Sequence, residues 1–215
     1  MELSWVLDHL DELGLRTLQH FGLAALAVGV GFGLSLGLSI VAVRARRTLA
    51  PIQAISGILY TIPSLALFAA LVPVTGLSLL TAEVPLVLYT LVIFVRNIVA
   101  GLDGVPADVL EAADGMDYPG RTRLLRVELP LALPLVVAGI RLASVSTIGL
   151  VTISGILGDR FGGLGFFIFE GYRRGFTAEI LAGAVPSIIL ALVVDRLLVA
   201  AGARLTPWAN AEVGA

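Results

Sequence analysis

Five apolar runs, each about as long as a bilayer is thick, constrain this chain more than anything else in it. Hydrocarbon offers a backbone no hydrogen-bond partners, so a span must be a helix of about 20 mostly apolar residues. Residues 17–43, 51–74, 84–101, 130–153 and 177–200 all qualify. They predict an all-α integral membrane protein: an N-terminal segment at 1–16, a membrane domain at 17–200 and a tail at 201–215. Residues 155–175 are rich in Gly and Phe but carry Asp159, Arg160, Glu170, Arg173 and Arg174. That is too much charge for contact with lipid, so the segment reads as interfacial or re-entrant rather than a sixth span.

Composition excludes most chemistry. Of 215 residues 58% are hydrophobic and 14% charged, whereas soluble domains sit near about 25% charged. No cysteine is present, which removes disulfides and thiolate metal sites. All 14 basic residues are Arg. The phosphate-gripping Lys of a nucleotide-binding loop is therefore absent, and any ATP hydrolysis belongs to another chain. His9 and His20 have no metal-ligand spacing. No metal, cofactor or nucleic-acid partner is expected. The acidic residues 1–16 do not read as a cleavable signal.

Arginine placement sets the expected orientation. Arg44, Arg46 and Arg47 follow the first span, and Arg121, Arg123 and Arg126 follow the third. With five spans both groups fall on one side, the cytoplasm. The N-terminus is then outside and the C-terminus cytoplasmic. The three Arg in 155–175 would lie outside, against the rule.

Within the spans a few residues stand out. Gly29, Gly33 and Gly37 form one small-residue stripe, and Ala27, Gly31, Ser35 and Ser39 a second; such stripes let helices approach closely, within the chain or between subunits. Thr61-Ile62-Pro63-Ser64 lies near the middle of the second span. Pro63 lacks an N–H and frees the Leu59 carbonyl, giving either a pathway-lining kink that exposes Tyr60, Thr61 and Ser64 or a packing kink satisfied by Thr61. Arg141 lies about 16 Å along the fourth span at helical rise, where an ionisable group faces the bundle interior or water. It is a pathway candidate or a structural Arg tied to backbone carbonyls. Asp195 reads as a helix-end contact.

Between the third and fourth spans, a polar island at 102–129 is longer than a turn requires. Pro106 starts a short helix over 107–114. Glu111, Ala112 and Ala113 give it a small-faced surface able to sink into a partner's groove. Asp117-Tyr118-Pro119 reads as the cap and first turn of a second short helix. Two such helices make a lever, or else a solvated amphipathic loop.

Glu111-Ala112-Ala113 followed by Leu129-Pro130 resembles the EAA loop of ABC importer permeases. Thr61-Ile62-Pro63-Ser64-Leu65-Ala66-Leu67, Val95-Arg96-Asn97, Ala138-Gly139-Ile140-Arg141 and Gly162-Gly163-Leu164-Gly165 look like the osmoprotectant branch of that family. The resemblance covers roughly residues 15–200. It implies a type I ABC importer permease fold, with a cytoplasmic coupling loop built on Glu111, Ala112, Ala113, Gly115 and Asp117. It also implies partners: ATP-binding subunits, a second permease chain, an extracytoplasmic solute-binding protein and membrane lipid. The implied solute is glycine betaine, choline, carnitine or a relative, and the translocation pathway would include Tyr60, Thr61, Pro63, Ser64 and Arg141. An amino-acid importer of the same build is the alternative. A stand-alone secondary transporter or channel is another, but the spans offer only Asp195 as an ion relay. Two departures matter: Asp117 stands where the family usually has Gly, and Asp159-Arg160-Phe161 replaces small residues before Gly162. No aromatic cluster is evident, which suits a low-affinity conduit lined by Tyr60, Tyr89 and Phe94.

Overall fold

The computed structural model describes residues 2–208, and among them every regular element is helical. The chain runs α1 (Glu2–Asp8), α2 (Leu10–Arg44), α3 (Leu49–Thr61), α4 (Ser64–Thr75), α5 (Leu79–Asp103), α6 (Ala107–Gly115), α7 (Gly120–Arg123), α8 (Leu129–Val151), α9 (Gly165–Arg174) and α10 (Thr177–Leu205). Helices α2, α5, α8 and α10 are each long and apolar enough to cross a membrane, and the bent pair α3–α4 supplies a fifth span if counted as one. The last residues of the expected tail, 209–215, lie outside the described part.

α5 is the centre of the bundle. Most of it is buried against α2 and α8, whereas α10 presents nearly all of its apolar surface outward. α5 starts at Leu79, five residues before the expected boundary, because Ser78 caps it by accepting from the Thr81 N–H at 3.3 Å. Two cores flank α5. One gathers Leu23, Ala27, Phe68, Leu86, Ile148 and Val151. The other gathers Phe94, Ile98, Leu102, Leu124, Ala132 and Val136, with Phe32 edge-on to Phe94 at 5.4 Å between centroids. Phe94 is fully buried there, so it does not line a conduit as the sequence suggested.

The two small-residue stripes of α2 have separate fates. Ala27, Gly31, Ser35 and Ser39 are buried, and a Cβ on Gly31 would collide with Thr90 of α5. Gly29, Gly33 and Gly37 are exposed, with open space where their Cβ atoms would be. Packing within the chain accounts for the first stripe only.

The two ends of the bundle differ chemically. At one end Arg46 makes a two-pronged pair with Asp103, at 2.9 and 2.7 Å, and Arg44 reaches the Gly120 carbonyl. Hydrogen bonds donated to the Asp103 carboxylate, and the charge of that carboxylate, hold the Arg46 guanidinium pKa above the usual arginine value. The arginines after the first span and those of the polar island thus share one end. At the other end Arg16 and Gln19 donate to the Asp159 and Arg160 carbonyls. Segment 155–175 folds back there: α9 is ten residues long, about 15 Å at helical rise and too short to span. His20, fully buried, is held between the Ile148 carbonyl at 2.9 Å and the Leu164 N–H at 3.2 Å. Trp5 packs edge-on to Phe167 and Phe176 and stacks on His9. An aromatic cluster therefore does exist, but its rings cover one another rather than enclose a cavity.

The second short helix expected after Asp117 is not separate. Helical turns run unbroken from Gly120 to Leu157. Pro130 is accommodated by a π turn over Leu124–Glu128, where the Leu129 N–H bonds to the Leu124 carbonyl. That wider turn is a known relief for helices that meet an obstacle in the ladder.

Candidate functional site

Helix α6 follows from local sequence. Val105 is buried before it, Pro106 precedes its first turn, and Asp108 sits favourably at its positive end. It ends in a Schellman motif: Tyr118 N–H bonds to Ala113 O at 3.2 Å, and Asp117 N–H to Asp114 O at 2.9 Å. The motif requires a left-handed residue at position 117. Asp117 has φ 58° and is the one non-glycine at positive φ among the described residues. The Gly usual there in the resembling family is thus a conformational requirement, and Asp is among the few residues that meet it.

The presented surface differs from the expected one. Glu111, Ala112, Gly115 and Asp117 are exposed, but Ala113 is 1% exposed. Ala113 seats the helix on its own chain and offers nothing to a partner. Met116, 58% exposed, takes the outward apolar position instead. Sequence reasoning passed over Met116 because it lies past the helix on a linear reading; the final turn carries it outward.

A staple holds α6 to the rest. Arg123 Nη1 donates to both carboxylate oxygens of Asp114 of α6, at 2.6 and 2.8 Å, and its Nε donates to Glu128 at 2.8 Å. Hydrogen bonds donated to Asp114 and then to Glu128 raise the Arg123 pKa above the usual arginine value. Asp114 is largely exposed, so the pair adds little stability. Its effect is geometric: α6 is fixed to the long helix that enters the membrane. The signal in the sequence was Arg123 and Glu128 five apart, which matches no α-helical pair and becomes close only through the π turn.

The second group of predicted residues lies at the α3–α4 break. The two helices meet at 90°, which is a break rather than a kink. Ile62 and Pro63 are extended. The Leu59 carbonyl is taken by the Ile62 N–H at 3.4 Å. Thr61 Oγ1 donates to Ile58 O at 2.7 Å, and the Tyr89 hydroxyl donates to Ile62 O. The freed backbone is thus re-satisfied partly from α5. Irregular backbone in lipid demands such partners. Tyr60 is 48% exposed, Thr61 and Pro63 are exposed and Ser64 is half-buried. Tyr60 meets Tyr89 edge-on at 5.5 Å.

Arg141 lies elsewhere. It pairs with Asp195 of α10 at 3.0 Å, neither with backbone carbonyls nor alone. The pair lines an open cavity of about 800 Å³ between α8 and α10. No residue of the α3–α4 break lines that cavity. The tentative pathway residues therefore fall in two places in the single chain. Asp195 is no helix-end contact, since α10 continues ten residues beyond it.

The chain is thus a helical membrane bundle with a broken span and an exposed short helix stapled to a continuous one. The chain belongs to the family of binding-protein-dependent transport system inner membrane components, whose model matches residues 29–207. It is 35% identical over 210 residues to the osmoprotectant import permease protein OsmW of Salmonella typhimurium, covering 95% of this chain and 97% of that one. Against the choline transport system permease protein OpuBB of Bacillus subtilis it is 36% identical over 196 residues, covering 91% and 89%. The MetNI methionine ABC transporter, solved in inward-facing conformations, matches with TM-score 0.73 and 21% identity over 95% of this chain and 96% of that one. That likeness establishes the type I ABC importer permease fold. The chain is accordingly a multi-pass inner membrane component.

Proposed function

We propose that this chain is the membrane-spanning subunit of an ATP-driven importer for glycine betaine, choline, carnitine or a similar osmoprotectant, moved by alternating access. ATP hydrolysis takes place on separate subunits that seat on α6. A second permease chain, identical or related, completes the conduit, and an extracytoplasmic binding protein delivers the solute. The N-terminus faces outward and the C-terminus the cytoplasm, which puts the Arg46 and Arg123 end on the ATPase side. The observation that carries the reading is the exposed Glu111-Ala112 face of α6, terminated by Asp117 and pinned by Arg123 to a helix that crosses the membrane. The similarity to osmoprotectant, choline and carnitine permeases at 33–36% identity supports the solute class over an amino acid.

The test is Glu111→Arg in the reconstituted complex. Reversing this charge at the seat is expected to lower solute-stimulated ATPase activity and uptake together by about tenfold or more. Unchanged stimulation by loaded binding protein would remove α6 as the docking element.

A further inference from the structure

The Arg141–Asp195 pair is made in an unusual way. Guanidinium and carboxylate normally meet as two parallel bonds that use both oxygens. Here Nε and Nη2 of Arg141 both donate to the same oxygen, Oδ1 of Asp195, at 3.1 and 3.0 Å. Among the described residues, Nη1 of Arg141 and Oδ2 of Asp195 have no protein partner. Both side chains line the cavity between α8 and α10 and remain 40% and 29% exposed. A spare donor and a spare acceptor of opposite charge thus stand side by side on the wall of an open cavity between two spans. The rest of the wall is mainly apolar, with Val145, Ile188 and Leu192 among its residues. At about 800 Å³ the cavity is of a size that holds small organic ligands.

We propose that Arg141 and Asp195 form a transit site for a zwitterion that carries a carboxylate and a methylated ammonium. The solute carboxylate takes the Arg141 guanidinium, the ammonium lies against the Asp195 carboxylate, and the methyl groups rest on the apolar wall. The charge count favours this exchange. A lone Arg at this depth repels an ammonium solute. With Asp195 beside it the site is neutral, and a neutral zwitterion entering the pair leaves every charge partnered. No unpaired charge is created at any stage, which is the condition for low-cost passage through a poorly solvated site. The apolar wall suits N-methyl groups, which donate no hydrogen bonds. A cation without a carboxylate meets only the free oxygen of Asp195 and leaves Arg141 without a new partner, and so binds more weakly. This inference rests on the import reading above.

The experiment uses the permease–ATPase complex in nanodiscs without binding protein. Saturation-transfer NMR reads the N-methyl protons of glycine betaine and of choline at millimolar concentration. Arg141→Gln is expected to cut the glycine betaine signal by about tenfold and choline by less than about twofold. Asp195→Asn removes the ammonium partner of both solutes and is expected to cut each signal by about tenfold. Loss of folding lowers both solutes together, so a loss confined to glycine betaine in Arg141→Gln cannot arise from it. If Arg141→Gln does not assemble, Arg141→Lys keeps the charge without the planar fork and is expected to weaken glycine betaine alone by about threefold. Parallel loss of both solutes in Arg141→Gln, no change in either variant, or no wild-type signal overturns the transit site. Proteoliposome uptake separates the two readings. Uptake by the wild type with an unselective Arg141→Gln removes the transit site alone, and selective binding without ATP-driven uptake removes the import reading alone.

Discussion

At Asp117 the backbone sits at φ 58°, where a Cβ crowds the neighbouring carbonyl oxygen. For most residues this costs about 1–2 kcal/mol, and for Asp somewhat less. Asp117→Gly removes the crowding without touching either Schellman bond. It is expected to stabilise the protein by about 0.5 kcal/mol, while Asp117→Val costs about 1–2 kcal/mol. Thermal unfolding in detergent should rank Gly above Asp above Val; any other order means that the turn does not limit α6. That Asp117 made a turn was readable from the chain. Its handedness came only with the two backbone bonds that close the motif. Asp195 was misread for a related reason. It sits 54 residues from Arg141, and only the relative rotation of α8 and α10 brings the two together.

Helix α2 shows the same limit at the scale of an element. Its two small-residue stripes are indistinguishable by spacing, yet one is pressed against α5 and the other is open. Gly31→Val should therefore destabilise by about 1–3 kcal/mol through overpacking against Thr90, and Gly33→Val should leave the folded subunit unchanged. Monodisperse yield and melting temperature of the two variants check this; equal loss in both would mean that the open stripe is also packed. Span positions were legible because bilayer thickness imposes a length, and the Thr61-Ile62-Pro63-Ser64 break was legible because proline removes a donor. The 90° angle was not, since it depends on Tyr89 reaching over from α5. Pro130 misled in the opposite direction. It read as the first residue of the fourth span, but the chain absorbed it in a π turn inside a longer helix.

For the whole molecule, the decisive connection is the Asp114–Arg123–Glu128 staple. Arg123→Ala leaves α6 and the long helix individually intact but no longer fixed to each other. The expected outcome in the reconstituted importer is ATPase activity within about twofold of wild type with uptake reduced by about tenfold, since exposed ion pairs contribute little to stability. Proportional loss of both would make the staple a folding feature rather than a transmission one. The helix it grips runs from Gly120 to Leu157 without interruption, about 57 Å at helical rise. The hydrocarbon it crosses is only about 30 Å thick. A rod longer than the hydrocarbon is thick, tilting about a point within the bilayer, must swing its two ends in opposite directions. A see-saw of this kind cannot open both doors at once: whatever pushes one end toward the axis draws the other away.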